Sequence, residues 1–340
     1  MRLETKLNKI KSGSYRSGDF ILADAKDSDM GSGVTGTGFM QDGSGYRRRS
    51  RQDFLSQIEN IIEQDVVDIM LLSASNLEIL AGRGVFKNTG VKPAIRANDA
   101  TDCWGGVRHG RYTSYGSRPF RSASLPRVMH GGTDPNPGAK ITGTDLGLYS
   151  ITFLNDLEAD LASLQAFADF REDAAKNGFH YFYEVFNPNI DCGLDKKQIG
   201  EFLNDCVLRS LAGVLKADRP EFLKIPFNGP AAMEELAEFD SEIVVGVLGG
   251  AAGTTRDSFE LLEQSERYGA RVALFGRKIN QAESQREFIT LMRAIADGNI
   301  SAKEAVKAYH SKLNELGIKP TRTIEDDYNI TEGVLLKGAK

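Results

Sequence analysis

The chain has 340 residues, of which 41% are apolar and 26% charged, with a net charge of −5. That composition predicts a water-soluble globular protein of one large domain or two ordinary ones, and its negative balance argues against a general nucleic-acid binder. The longest apolar run, Ile243 to Ala252, is too short and too rich in glycine to cross a bilayer.

Residues 1–18 are polar and predict a short helix ahead of the first strand. Met1 to Lys11 alternate charged and apolar residues, unlike a signal peptide. Phe20 to Lys26 is a strand running into charge at Asp24, Lys26, Asp27 and Asp29. A loop rich in glycine follows, with Gly31, Gly33, Gly36, Gly38, Gly43 and Gly45. The basic run Arg47-Arg48-Arg49-Ser50-Arg51 reads as a solvated loop face. Phe54, Ile58, Ile61 and Ile62 recur at helical spacing. Val66 to Ser73 is the second strand, Asn76 to Ala81 a short helix, and Pro93 to Ala97 the third strand.

Residues 100–145 are the least regular part. They hold Trp104, His109, Tyr112, Tyr115, several arginines, His130 and a Gly/Pro cluster at 131–138. An irregular stretch of that length is usually functional or disordered. Leu148 to Phe153 is the fourth strand, followed by a helix with Leu157, Leu161, Leu164 and Ala168. Phe179 to Phe186 is the fifth strand. A helix covers roughly 195–215, and the sixth strand, Glu221 to Phe227, runs into the Asn228-Gly229 turn. Met233, Leu236 and Phe239 mark a short helix. Ile243 to Leu248 is the seventh strand, ending in Gly249-Gly250-Ala251-Ala252. Phe259 and Leu262 lie on the next helix. Val272 to Phe275 is the eighth strand, ending in Gly276-Arg277. Two helices follow, the second opening at a Ser301–Glu304 capping box. Residues 319–340 read as a polar C-terminal tail.

Eight strands, mostly alternating with helices, predict an α/β fold of the (β/α)8 TIM-barrel type. The expected organisation is one barrel domain over 1–318. Long loops follow strands 1 and 3, the second being the 100–145 insertion, and an extra helix precedes the tail. A doubly wound open sheet would need a Gly-x-Gly-x-x-Gly turn opening a helix after the first strand. Gly31 to Gly36 has that spacing, but no helical pattern begins there. The three cysteines, Cys103, Cys192 and Cys206, form no Cys-x-x-Cys pair. They predict free thiols in a reducing compartment, here the cytoplasm. The four histidines show no metal-ligand spacing.

The chemistry centres on the sixth strand. Side chains alternate along a strand, so Leu223, Ile225 and Phe227 share one face and Phe222, Lys224 and Pro226 the other. A lysine among such neighbours is costly unless paired or neutral, and a neutral amine is a nucleophile towards carbonyls. The alternative is a lysine at a strand end, solvated or paired with a carboxylate. Barrel active sites lie at the C-terminal strand ends. That rule collects Asp24, Lys26, Glu184, Lys224 and Arg277; an ion-pair network that only fills space is the alternative reading. The Gly249-Gly250 backbone and Gly276-Arg277 suit a phosphate between the loops after strands 7 and 8.

Four segments resemble the class I, Schiff-base-forming aldolases of the deoxyribose-phosphate and tagatose-bisphosphate aldolase superfamily, over about residues 18–300. Leu223-Lys224-Ile225-Pro226-Phe227-Asn228 looks like that family's Schiff-base strand. Phe182-Tyr183-Glu184-Val185-Phe186 looks like its strand 5, whose glutamate handles protons. Asp24 in Leu22-Ala23-Asp24 matches its strand-1 aspartate, and Leu274-Phe275-Gly276-Arg277 its phosphate-binding strand end. Two features depart from the pattern: strand 7 carries no lysine, and the 100–145 insertion has no counterpart.

The resemblance implies a lyase that makes or breaks a carbon–carbon bond of a ketose, with a phosphorylated one expected. Lys224 would form the iminium, Glu184 would shuttle protons and Asp24 would take a hydroxyl proton. Lys26, Gly249, Gly250, Gly276 and Arg277 would bind the substrate or its phosphate. It implies no cofactor, no metal, no nucleic-acid or membrane partner, and a homo-oligomer. The insertion reads as a lid or specificity element, or else as a subunit contact or a partly disordered loop. A non-catalytic sugar-phosphate-binding barrel and a metal-dependent lyase or isomerase are the alternative functions.

Overall fold

The computed structural model describes residues 2–42, 45–133, 138–250 and 253–339. Gly43, residues 134–137 of the Gly/Pro cluster, and Ala251-Ala252 after the seventh strand lie outside these. Eight parallel strands form the barrel: β1 (Ile21–Lys26), β2 (Ile69–Leu72), β3 (Lys92–Arg96), β4 (Leu146–Thr152), β5 (His180–Phe186), β6 (Leu223–Lys224), β7 (Gly246–Leu248) and β8 (Val272–Phe275). Each pairs with the next in sequence from β1 to β6. β7 pairs with β8, and β8 returns to β1. The gap between β6 and β7 is closed by the parallel bridge between Ile225 and Val247. β6 is shorter than its apolar run predicts, because Pro226 has no N–H to extend the ladder.

Alternation along the strands sorts side chains into two shells. Ile21, Ala23, Ala25, Ile69, Leu71, Ala94, Leu148, Phe182, Phe222 and Leu274 point inward and fill the barrel. Leu22, Met70, Ile95, Tyr149, Val185, Ile225 and Phe275 point outward and pack beneath the helices. The predicted N-terminal helix, Arg2–Lys11, adds Leu3, Leu7 and Ile10 to the inner shell and so plugs the N-terminal end of the barrel. Burying each of the two leucines contributes about 1.5–3 kcal/mol. Asp68, fully buried just ahead of β2, fastens this plug through Arg2 Nε and Lys6 Nζ, each at 2.9 Å.

The described parts of the two long loops meet. After β1 come a helix (Ser28–Ser32), a 3-10 turn (Gly33–Thr37) and an antiparallel pair, Phe39–Asp42 with Gly45–Arg48. After β3, Asn98–Ala100 pairs antiparallel with Pro119–Arg121, and a 3-10 turn spans Cys103–Gly106. That turn packs so closely on the helix Ser28–Ser32 that a Cβ on Gly106 would stand 2.8 Å from the Gly31 carbonyl oxygen. Glycine is required there, and the two loops form one roof.

The last stretch is not a free tail. The extra helix, Ala302–Glu315, packs on the helix Thr255–Arg267, and residues 321–339 then fold along the latter. Asp257 accepts hydrogen bonds from the Thr331 and Glu332 amides at 2.7 and 3.1 Å. Leu335 is fully buried. The polar composition hid this, because the segment is held by hydrogen bonds to buried carboxylates and by a few apolar anchors. Among the described residues no helix is long and apolar enough to cross a membrane.

Candidate active site

Lys224 and Glu184 stand opposite one another in the register of β6 and β5. Both continue the inward faces, Lys224 after Phe222 and Glu184 after Phe182. Their side chains form an ion pair between Nζ and Oε1, and both residues are buried. Arg96, which follows inward-facing Ala94 on β3, places Nη2 3.5 Å from the other Glu184 oxygen. Its Nε donates to Asp27 Oδ2 at 2.6 Å, and its Nη1 donates to Ser150 Oγ on β4 at 3.2 Å. The floor of the mouth is therefore a chain of alternating charge: Asp27, Arg96, Glu184, Lys224.

These residues line a cavity of about 1330 Å³ under the loop roof, together with Gly249, Gly276 and Arg277. That is larger than the roughly 300–1,000 Å³ of an ordinary ligand pocket. Burial opposes ionisation of Asp27, but Arg96 and Lys224 outweigh it and hold the carboxyl below its usual range. Burial also works against the Arg96 charge; the Asp27 and Glu184 carboxylates overcome it, so the guanidinium is held well above its ordinary value. Cys103 Sγ, in the roof, lies 3.7 Å from Arg96 Nη1. Burial pushes its thiol up to about 12, although Arg96 pulls the other way.

Two expected residues are elsewhere. Asp24 and Lys26 pair with each other at 2.9 Å, both side chains fully buried, and neither lines the cavity. The reason is parity. Ala23 and Ala25 take the inward positions, so Asp24 and Lys26 share the outward side with Leu22. Burial pushes the Asp24 carboxyl up and the Lys26 ammonium down, and their mutual attraction opposes both. Asp27, just past the strand, is the β1 carboxylate that reaches the mouth. Small residues alternating with Phe20 and Leu22 were the signal for it. Arg96 was legible too, since it has the parity of an inward residue at the end of a predicted strand.

The phosphate-binding expectation meets a mixed arrangement. Gly249, Gly276 and an exposed Arg277 line one side of the cavity. Arg277 Nη2 donates to the Gly250 carbonyl oxygen at 3.2 Å. A Cβ on Gly249 or on Gly276 would stand 3.0 Å from Phe275 or Ala25 respectively, so the backbone packs tightly at both. The Glu332 carboxylate stands against Gly250, where a Cβ would lie 3.0 Å from Oε2. The amide at the start of the helix Thr255–Arg267 is already used, since Thr255 N–H donates to Asp327 Oδ1 at 2.7 Å. Arg49, expected on a solvated face, instead lines the cavity, with Nη1 donating to the Thr37 carbonyl at 3.1 Å. Among the described residues no group of histidine, cysteine or acidic side chains could hold a metal ion.

No protein-family model and no curated protein matches the chain. Solved structures do. An archaeal fructose 1,6-bisphosphate aldolase superposes with a TM-score of 0.59 at 13% identity, covering 87% of this chain and 99% of that one. A Schiff-base-forming fructose-1,6-bisphosphate aldolase gives 0.59 at 15% identity, with 88% and 100% covered. A protein from Corynebacterium glutamicum gives 0.58 at 15% identity, with 87% and 94% covered. At these identities the likeness carries the barrel fold.

Proposed function

We propose that this protein is a class I aldolase that cleaves or forms a carbon–carbon bond of a ketose through a Schiff base on Lys224. The observation that carries this reading is the Lys224–Glu184 pair on the floor of a large mouth cavity. A buried lysine whose partner can take its proton is the arrangement an amine nucleophile needs. Glu184 accepts a proton from Nζ, and the freed amine adds to the ketone carbon. The same carboxyl then returns a proton to the carbinolamine hydroxyl, which leaves as water and gives the iminium.

In the cleavage direction the next step breaks the bond between the carbon beside the iminium and the carbinol carbon beyond it. A base takes the carbinol proton, the aldehyde departs, and the bonding electrons pass into the iminium to give an enamine. We assign the base to Asp27 rather than Asp24, because Asp27 lines the cavity and faces Lys224. Protonation of the enamine carbon and hydrolysis then release the ketone and restore Lys224. Arg277 and the Gly249-Gly276 side of the cavity would hold a phosphate or hydroxyl group remote from the reacting carbon, and such anchoring orients the ketone.

The test is Lys224→Met, assayed over a panel of phosphorylated and free ketoses. The variant keeps the wild-type circular dichroism and loses turnover. Activity within ten-fold of wild type would remove Lys224 from the chemistry.

A further inference from the structure

Arg96 uses all three of its nitrogens. Nε is bound to Asp27 at 2.6 Å, Nη1 to Ser150 Oγ at 3.2 Å, and Nη2 stands 3.5 Å from Glu184. The two carboxylates are thus held unequally. Asp27 has a short charge-assisted hydrogen bond, whereas the Glu184 oxygen is at ion-pair distance and the other Glu184 oxygen belongs to Lys224. Its supports are rigid: Asn98 Nδ2 donates to the Ser150 carbonyl at 2.8 Å and Ser150 N–H donates to Asn98 Oδ1 at 2.7 Å. That exchange ties the end of β3 to β4.

We infer that Arg96 is a positioning residue that divides labour between the two carboxylates, pinning Asp27 as the base for carbon–carbon cleavage while leaving Glu184 free to exchange protons with Lys224. This rests on the aldolase reading. It gives the reaction two separable parts, Schiff-base formation at Lys224–Glu184 and bond cleavage at Asp27–Arg96. The planar fork is what the task needs, because a lysine ammonium is a point charge on a flexible stem and cannot span three partners in fixed directions.

The charges facing Asp27 are Arg96 and Lys224, with Asp24, Asp29 and Asp99 as the nearby acids that oppose ionisation or are opposed by it. Arg96 and Lys224 hold the Asp27 carboxyl low. Loss of the Arg96 contact therefore raises its range, and the acid limb of the cleavage rate moves to higher pH.

The experiment compares wild type, Arg96→Lys, Asp27→Asn and the double variant in two assays. Borohydride trapping with dihydroxyacetone phosphate reads Schiff-base formation. Cleavage of the ketose that wild type turns over fastest, starting from fructose 1,6-bisphosphate, reads bond breaking. Trapping stays within a few-fold of wild type in both single variants. Cleavage falls about 100-fold, the size of a general-base contribution. The acid limb of Arg96→Lys rises, and the double variant is no worse than Asp27→Asn alone. Equal losses in both assays, or an unmoved acid limb, overturn the inference and leave Arg96 a structural residue. If Arg96→Lys does not fold, Asp27→Asn alone decides, since loss of trapping in that variant is the contrary result. Absence of any adduct or cleavage in wild type defeats the aldolase reading itself, and the role of Arg96 with it.

Discussion

Asp27 and Arg96, 69 residues apart in sequence, meet at 2.6 Å on the floor of the barrel mouth. Asp24, only three positions before Asp27, faces the opposite way and pairs with Lys26. This difference separates a residue of the site from a residue of the wall, and it sets opposite expectations for two similar substitutions. Asp27→Asn leaves Arg96 with Glu184 as its counter-charge, keeps the fold and slows bond cleavage about 100-fold. Asp24→Asn leaves Lys26 buried without its counter-charge and costs about 3–5 kcal/mol of stability. Denaturant titration of both variants, alongside turnover, checks the pair.

Glu184→Gln keeps the shape of the site but removes the proton acceptor from Lys224. Schiff-base formation slows by about 100- to 10,000-fold, while equilibrium binding of a non-reactive sugar phosphate changes little. Stopped-flow measurement of the single-turnover rate, paired with calorimetric binding, tests this.

Arg277 and Glu332 face the same glycine turn with opposite charge. Arg277→Met raises KM for a phosphorylated substrate by about ten-fold and changes kcat less. Glu332→Gln works in the other direction and lowers that KM, because a dianion no longer meets a carboxylate at Gly250. The same substitutions have smaller effects on an unphosphorylated ketose, and steady-state kinetics on both substrates distinguishes the cases.

The C-terminal segment carries a stability prediction. Leu335 is fully buried, and Gln264 Nε2 donates to its carbonyl oxygen at 2.8 Å. Leu335→Ala costs about 2–5 kcal/mol, as for other buried leucines. Thermal melting of that variant reads the loss directly, and an unchanged melting point would mean that the segment contributes no stability.

At the other end of the barrel, His180 Nδ1 and Glu221 pair at 2.9 Å, and Glu221 also binds Lys11 of the plug helix. His180 and burial act in opposite senses on Glu221, and His180 prevails, holding the carboxyl down to about 2. Glu221 in turn raises His180. The depressed carboxyl contributes stability above its ordinary range, lost as pH falls from about 4.3 towards about 2. The raised imidazole contributes below about 6.5, and that part is lost as pH climbs through its raised value. Both groups are partly exposed, so each effect stays below about 1 kcal/mol. The stability gap between wild type and Glu221→Gln, measured by urea titration from pH 3 to 9, narrows at both ends.

The barrel was legible because its eight apolar runs alternate with helical patterns. Lys224 and Glu184 were legible because each sits in such a run, where a charge must have a reason. β1 misled for a physical cause. Asp24 and Lys26 form a buried pair outside the mouth, a place where charge is unusual, so the strand looked as though its charged face were the functional one. Nothing local to Arg49 marks it as a wall of the cavity, and nothing local to Glu332 marks it as a neighbour of the Gly250 turn. Each arrives there through a long-range fold of polar chain, and hydrogen bonds to Asp257 or to the Thr37 carbonyl leave no periodic trace.

The most direct test of the central claim is borohydride reduction in the presence of dihydroxyacetone phosphate and, in parallel, a panel of other sugar phosphates and free ketoses, followed by peptide mass spectrometry. The account predicts a reduced adduct on Lys224 with at least one of these ketones and none in Lys224→Met. Absence of an adduct throughout the panel, or an adduct on another lysine that survives Lys224→Met, would contradict it.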